Sequence, residues 1–375
     1  MNKNNKTMKH NLIHTAALFL MLGMTATACT EDSPVTNPRQ ADAEIEPVAE
    51  YGDFARGADV SWITQMESEG LTFKNKAGEQ AEVMQILRDD CGVDAIRLRV
   101  WVNPAEGWNN ISDVLVKARR AHALGQRLMI DFHFSDTWAD PGHQSTPAAW
   151  ADYSLDQLKQ AVAGHVTEML AQLNTYGIEP EWVQIGNETT GGMLYPTGEI
   201  APEGVESATN KANLVALINA GYDATKAVFP RAKVIIHLDS GDNLWRYTRM
   251  FNILRDGGAR YDIIGMSLYP DETNYETLTS QVLSNVQTLY STYGKPVIIC
   301  EVGMLWTLAS ECKTVISTLI QSQQAQDGKL QGIFYWEPQT PTYGYNNGYK
   351  KGCFDEASSP TEALDAFLEE EAEEL

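Results

Sequence analysis

Basic residues are scarce in this chain. Twenty-eight Lys and Arg stand against 50 Asp and Glu, a formal net charge of −22. A nucleic-acid partner is excluded on that ground, because phosphate binding needs clustered positive charge. Cysteine is also sparse, five in 375 residues. No CxxC pair occurs, which excludes a zinc ribbon and a disulfide-dense scaffold. No apolar run approaches the ~20 residues that span a bilayer, and no Gly-rich phosphate loop follows the first strand-like segment. What the chain does have is 43% hydrophobic residues, 15 Tyr, 10 Phe and 9 Trp. That is enough for one large core with aromatic surface to spare.

The N-terminus reads as an address. Lys3, Lys6 and Lys9 precede a short apolar stretch from Ala16 to Met24, and small residues then lead into Cys29. Residues 1–28 have the form of a secretory signal peptide. A cysteine at the cleavage point is the pattern of a loose bacterial lipobox, so Cys29 is expected to carry lipid. Residues 29–50 are polar, contain Pro and lack aromatics, as a flexible tether should. "TEDS" after Cys29 resembles the acidic export signals of Bacteroidetes surface lipoproteins. The expected product is an exported outer-membrane lipoprotein, touching the membrane only through that anchor and working as a monomer. The Glu-rich end, Glu369 to Glu374, reads as a solvated helix end.

Residues 51–375 read as one domain. Eight short apolar runs predict strands at Ala58–Val60, Ala95–Arg99, Leu128–Phe132, Trp182–Ile185, Val234–Leu238, Ile263–Ser267, Val297–Cys300 and Ile333–Tyr335. They are continuous rather than alternating, as strands buried on both faces should be. Helical patterns lie between them. One opens at Ser154 and stops at Gly177; another carries Val114, Leu115, Ala118 and Ala121 and ends at Gly125. Eight such repeats predict an α/β fold, a single-domain (β/α)8 TIM barrel; a doubly wound open sheet is the alternative.

Polar residues gather where these strands end, which is where such barrels place their active sites. They include Arg99 and Trp101 after the second strand; Asp131, His133, Ser135, Asp136 and Trp138 after the third; and Asn187 and Glu188 after the fourth. His237, Tyr269, Glu301 and Trp336 close the fifth to eighth. Glu188 and Glu301 would face one another across the mouth. Two carboxylates about 5–5.5 Å apart are what retaining glycoside hydrolysis uses, one protonated and one ionised. A single strand-end Glu can also cap a helix or pair with Arg97 or Arg99.

GNE at the fourth strand with Glu ending the seventh resembles the clan A glycoside hydrolases. Within that clan the chain resembles glycoside hydrolase family 53, the endo-β-1,4-galactanases. The resemblance rests on GADVSW (57–62), IRLRVWVNP (96–104), LMIDFHFSDTWADPGHQ (128–144), WVQIGNETTGGMLYP (182–196), IIGMSLYP (263–270) and VIICEVG (297–303). It implies that Glu188 is the acid/base and Glu301 the nucleophile. It also implies that Asp59, Arg99, His133, Asp136, Asn187, His237 and Tyr269 surround the sugar, with Trp101, Trp138 and Trp336 as stacking faces. Asp131 is expected to be structural, its side chain turned from the mouth. The implied substrate is β-1,4-galactan of pectin side chains, with no cofactor required. Bacterial relatives carry calcium in the loops after strands seven and eight, but VGMLWTLASECK offers no matching acidic cluster. Cys312 and Cys353, in those same two loops, could form a disulfide clamp in its place, and the sequence leaves open which of the two holds the loops; Cys91 and Cys300 read as buried free thiols. A β-mannanase or endoglucanase of the same clan, or a non-catalytic surface glycan binder, remain the rival readings.

Overall fold

The computed structural model describes residues 53–200 and 207–368. The signal segment, Cys29, the tether and the Glu-rich end lie outside the described residues. Eight parallel strands, β1 (Ala55–Asp59), β2 (Ala95–Val100), β3 (Arg127–Phe132), β4 (Trp182–Ile185), β5 (Lys233–Leu238), β6 (Ile263–Leu268), β7 (Val297–Val302) and β8 (Leu330–Trp336), close into one barrel. β8 pairs with β1 to complete the ring. All eight predicted strands are present, and the barrel architecture is the one expected. Two helices, α1 (Ile63–Ser68) and α2 (Val83–Cys91), separate β1 from β2. The later crossovers each carry one: α3 (Ile111–Ala123), α4 (Leu155–Thr175), α5 (Ala208–Val228), α6 (Leu244–Gly257), α7 (Tyr275–Tyr293) and α8 (Ala309–Gln326).

Helix ends follow from local chemistry. Ser154 and Gln157 form a reciprocal capping box at the start of α4, each satisfying a backbone N–H that the helix leaves open. Gly177, past its end, takes φ +71, a conformation that costs glycine nothing.

The strands alternate between two environments. Ile96, Leu98 and Val100 face the helices, while Ala95, Met129, Trp182, Ile235, Ile263, Ile298, Cys300 and Phe334 form a separate cluster inside the barrel. Gly57 leaves room for that plug: a Cβ there would lie 2.2 Å from the Phe334 ring. Above the plug the inward positions turn polar, with Asp59, Arg97, Asp131, Gln184 and His237 fully buried. Polar groups are tolerated at that depth only when they satisfy one another. That polar layer is the floor of the mouth.

Candidate active site

Arg97 organises the floor. Its guanidinium donates to Asp59 Oδ2 at 2.9 Å, Asp131 Oδ2 at 2.8 Å and Asn187 Oδ1 at 2.9 Å, and pairs with Glu301 Oε1 at 3.1 Å. A planar five-donor fork suits this task, because it serves several carboxylates without giving up its proton. Burial works against ionising Asp131, but Arg97 and then His133 outweigh it and hold the carboxyl below its usual range. The Asp131 side chain does not turn away from the mouth as expected; it points inward beneath it, onto Arg97 and His133. Arg97 rather than Arg99 is the partner of Glu301.

Glu301 reaches the cavity through a backbone irregularity. Ile298 and Cys300 face the barrel interior and Ile299 faces out, so strict alternation would turn Glu301 outward. The pairing of β6 and β7 slips at this point: Met266 stands opposite Ile299, and Ser267 opposite Glu301. Such a bulge re-aims the following side chain. Tyr269 then donates its hydroxyl to Glu301 Oε2 at 2.7 Å. Burial pushes the Glu301 carboxyl above its usual range, and Arg97 and the Tyr269 hydroxyl pull it only part of the way back.

Glu188 has poorer support for a charge. It takes the left-handed conformation, φ 46 and ψ 49, which is uncommon without glycine and frequent at functional sites. Its carboxyl meets one hydroxyl, Ser267 Oγ, at 2.6 Å. Burial, and next the charge of Glu301, push it well above the carboxylate range. Ser267 Oγ donates to Glu188 Oε1 and lies 2.9 Å from His237 Nε2. Behind them Asn187 Nδ2 donates to Ala139 O, and His237 Nδ1 faces Asn187 Oδ1 at 2.9 Å and Gln184 Nε2 at 3.2 Å. Burial and then Arg97 keep His237 neutral. Of the two glutamates, Glu188 is the one pushed further up.

Both line one cavity of about 330 Å3, together with His133, Trp138, Ala139, Asp140, Asn187, Tyr269, Trp336, Tyr349 and Lys351. A second cavity shares Glu188 and Tyr269 and extends past Asp239, Ser240 and Asp242. A third shares Trp138, Trp336 and Tyr349 and extends past Trp62 and Asn346 to Gly348. The three adjoin one another across the mouth through these shared residues.

Several sequence-predicted residues stand behind this surface. Asp59 is fully buried, held by Arg97 and by the N–H and hydroxyl of Ser61. His237 acts through Asn187 and Ser267. Trp101 donates to His133 Nδ1 at 3.1 Å and packs edge-on to Trp138. Asp136 ties the β2–α3 loop to the β3–α4 loop, accepting from Asn103 N and Ala148 N. Arg99 lies under an indole cluster, 4.5 Å from the Trp138 ring and 5.3 Å from those of Trp62 and Trp101, and pairs with Glu337 at 2.7 Å. Glu337, itself pushed up to about 7 by burial against the pull of Arg99, also accepts from Trp62 N. Sequence reasoning missed Trp62, Gln184, Ser267, Glu337, Tyr349 and Lys351.

The disulfide that the sequence left open is not formed: Cys312 and Cys353 are both free, buried thiols, as are Cys91 and Cys300. The Tyr335 hydroxyl occupies the space beside Cys312, 3.8 Å from its Sγ, and donates to Lys351 O at 2.9 Å. Among the described residues no group of three or more His, Cys, Asp or Glu is placed to hold a metal ion. Among the same residues no helix is long and apolar enough to cross a membrane.

Comparison with known proteins places this geometry in a family. The chain is 32% identical over 327 residues to an arabinogalactan endo-beta-1,4-galactanase of Thermothelomyces thermophilus, covering 80% of this chain and 93% of that one. It is 30% identical over 351 residues to one from Cellvibrio japonicus, covering 86% and 91%. Among solved structures, a fungal beta-1,4-galactanase superposes with a TM-score of 0.74 at 26% identity, covering 84% of this chain and 98% of that one. The Ignisphaera aggregans family 53 catalytic domain gives 0.73 at 28%, covering 86% and 98%. Xylanases at 15% identity share the fold alone. The model of glycosyl hydrolase family 53 matches residues 55–367, and the chain belongs to that family.

Proposed function

We propose that this protein is an endo-β-1,4-galactanase that cuts β-1,4-galactan within the chain, by double displacement with Glu301 as nucleophile and Glu188 as acid/base. The observation that carries the assignment of roles is the asymmetry of the pair. Glu301 has a guanidinium and a phenol to hold its charge, whereas Glu188 has a single hydroxyl and is pushed further up by burial and by the charge of Glu301. Glu301 attacks the anomeric carbon while Glu188 gives its proton to the departing O4. Glu188, now ionised, accepts from Ser267 and takes a proton from water, which releases the sugar with retained configuration. Asn187 lines the cavity beside Glu188, where its amide is placed for a sugar hydroxyl. The cavity that holds both glutamates shares lining residues with one on either side, room for a chain to extend past the point of cleavage. Two carboxylates and water suffice, so no cofactor is called for.

The substrate follows the relatives that are named arabinogalactan endo-beta-1,4-galactanase. Incubation with galactan, mannan and carboxymethylcellulose, followed by product sizing and proton NMR of the newly formed anomer, tests it. Short galacto-oligosaccharides of β configuration are expected from galactan alone. Release from mannan alone, or α products, would overturn the reading. We further propose an exported lipoprotein anchored at Cys29 and working as a monomer, supported by the basic start, the short apolar stretch and the small residues before Cys29. Cys29→Ala should move the protein from the membrane to the soluble fraction.

A further inference from the structure

A second concavity of about 670 Å3 lies on the outer wall of the mouth, between the β2–α3 loop and the start of α4, and shares no lining residue with the catalytic groove. Its floor is Trp150 and His165, both nine-tenths buried, their rings edge-on at 6.1 Å. His165 Nε2 is sealed off without a hydrogen-bond partner. Burial lowers its pKa to about 4, so at neutral pH the ring is an uncharged polar group in the floor. The rim carries Tyr153, 39% exposed, with Ser112 and Gln160. None of these three side chains makes a hydrogen bond to the described residues. Asp136 fixes the two walls by bonding Asn103 N and Ala148 N, so the concavity does not depend on a ligand to form.

The lining selects the chemistry of an occupant. No Lys or Arg contributes, which excludes phosphate and carboxylate ligands in a chain of this charge. The N-terminus of α3 opens here, but Asp113 in its first turn already answers the helix dipole. Glu168 is a single carboxylate, too few for a cation. Neutral amides, hydroxyls and an exposed aromatic ring suit an uncharged, hydroxyl-rich ligand. The geometry points to a second, non-catalytic saccharide site that holds a stretch of glycan beside the catalytic groove. That the glycan is galactan rests on the function proposed above; the site itself does not.

The site raises occupancy on polymer and leaves chemistry on short substrates alone. The test compares Tyr153→Ala and Gln160→Ala, both on the exposed rim. In a Glu301→Gln background, retardation in galactan-containing native gels should weaken at least threefold in apparent Kd. With Glu301 restored, hydrolysis of a short aryl galacto-oligosaccharide should stay within twofold of the parent. Unchanged retardation, or an equal loss on the short substrate, would overturn the site. Retardation by mannan in place of galactan, still weakened by the rim substitutions, would keep the site and overturn the galactan reading.

Discussion

Replacing Tyr269 by Phe deletes one oxygen from the cavity and tests the division of labour between the glutamates. The lost hydroxyl donates to Glu301 Oε2 at 2.7 Å, while Glu301 Oε1 keeps its pairing with Arg97 at 3.1 Å. A hydrogen bond to an ionised group contributes about 1.5–3 kcal/mol. One pKa unit corresponds to about 1.36 kcal/mol. The Glu301 carboxyl should therefore rise by about one to two units in the variant. The sign follows from its role. Glu301 must be ionised to attack, so kcat/KM climbs with pH as its proton leaves and falls again as Glu188 loses its own. Tyr269→Phe should shift the acid limb upward by about one to two pH units and leave the alkaline limb in place. Well below both limbs, that shift alone lowers kcat/KM about 10- to 100-fold. Initial rates on a short aryl galacto-oligosaccharide, at substrate well below KM and across the pH range, measure it directly. An acid limb that stays put would refute the argument, and movement of the alkaline limb instead would mean that the phenol serves the other glutamate.

Other consequences are equally direct. Glu301→Ala and Glu188→Ala should each cut galactan turnover by about three orders of magnitude or more. Only Glu188→Ala should keep substantial first-step activity on aryl galactosides whose leaving group needs no proton, read as a burst of phenol. Trp138 lines two of the three groove cavities. An aromatic stacking face is worth about 0.5–1.5 kcal/mol, so Trp138→Ala should raise KM for galactan roughly 2- to 12-fold, with a smaller effect on kcat. Arg99→Met strands Glu337, which is fully buried. Stripping one partner from a buried ion pair costs about 3–5 kcal/mol. Denaturant unfolding should register that loss, and adding Glu337→Gln should recover part of it; a loss below about 1 kcal/mol would contradict the pairing.

The strands were legible in the sequence because burial on both faces leaves a continuous apolar signature. Their ends were less so. β1 begins three residues before its predicted start and β7 runs two past its predicted end, because the extra positions include Ala55, Gly57 and Glu301, which strand propensity disfavours. The principle that a charged residue just past a buried strand deserves a function found Glu188 and Glu301, and it applied equally to Glu337, one residue after Trp336. That residue was missed. The pattern alone also cannot sort the three: Glu337 turns back to Trp62 N and Arg99, and only its partners reveal that it supports the indoles. Lys351 sits in a loop without periodicity, so no local signal marked it as part of the cavity.

Arg97 and Arg99 define what one-dimensional reading can and cannot deliver. Two residues apart on one strand, they share a face, and period two places both inside the barrel. Nothing in their spacing says which of them meets Glu301, five strands away in sequence. Barrel closure decides it. β2 stands between β1 and β3, with Arg97 level with Asp59 on one side and Arg99 level with Asp131 on the other. Because the strands are staggered, the inward side chains of one layer come from different positions along each strand. Arg97 then lies under the centre of the mouth, where Asp59, Asp131, Asn187 and Glu301 converge on its fork. Arg99, one layer higher, clears that centre and emerges against the rim, where Trp62, Trp101 and Trp138 meet it. A single layer of height thus separates the cation beside the nucleophile from the cation beneath the tryptophans, and that height is a property of the closed ring rather than of the strand.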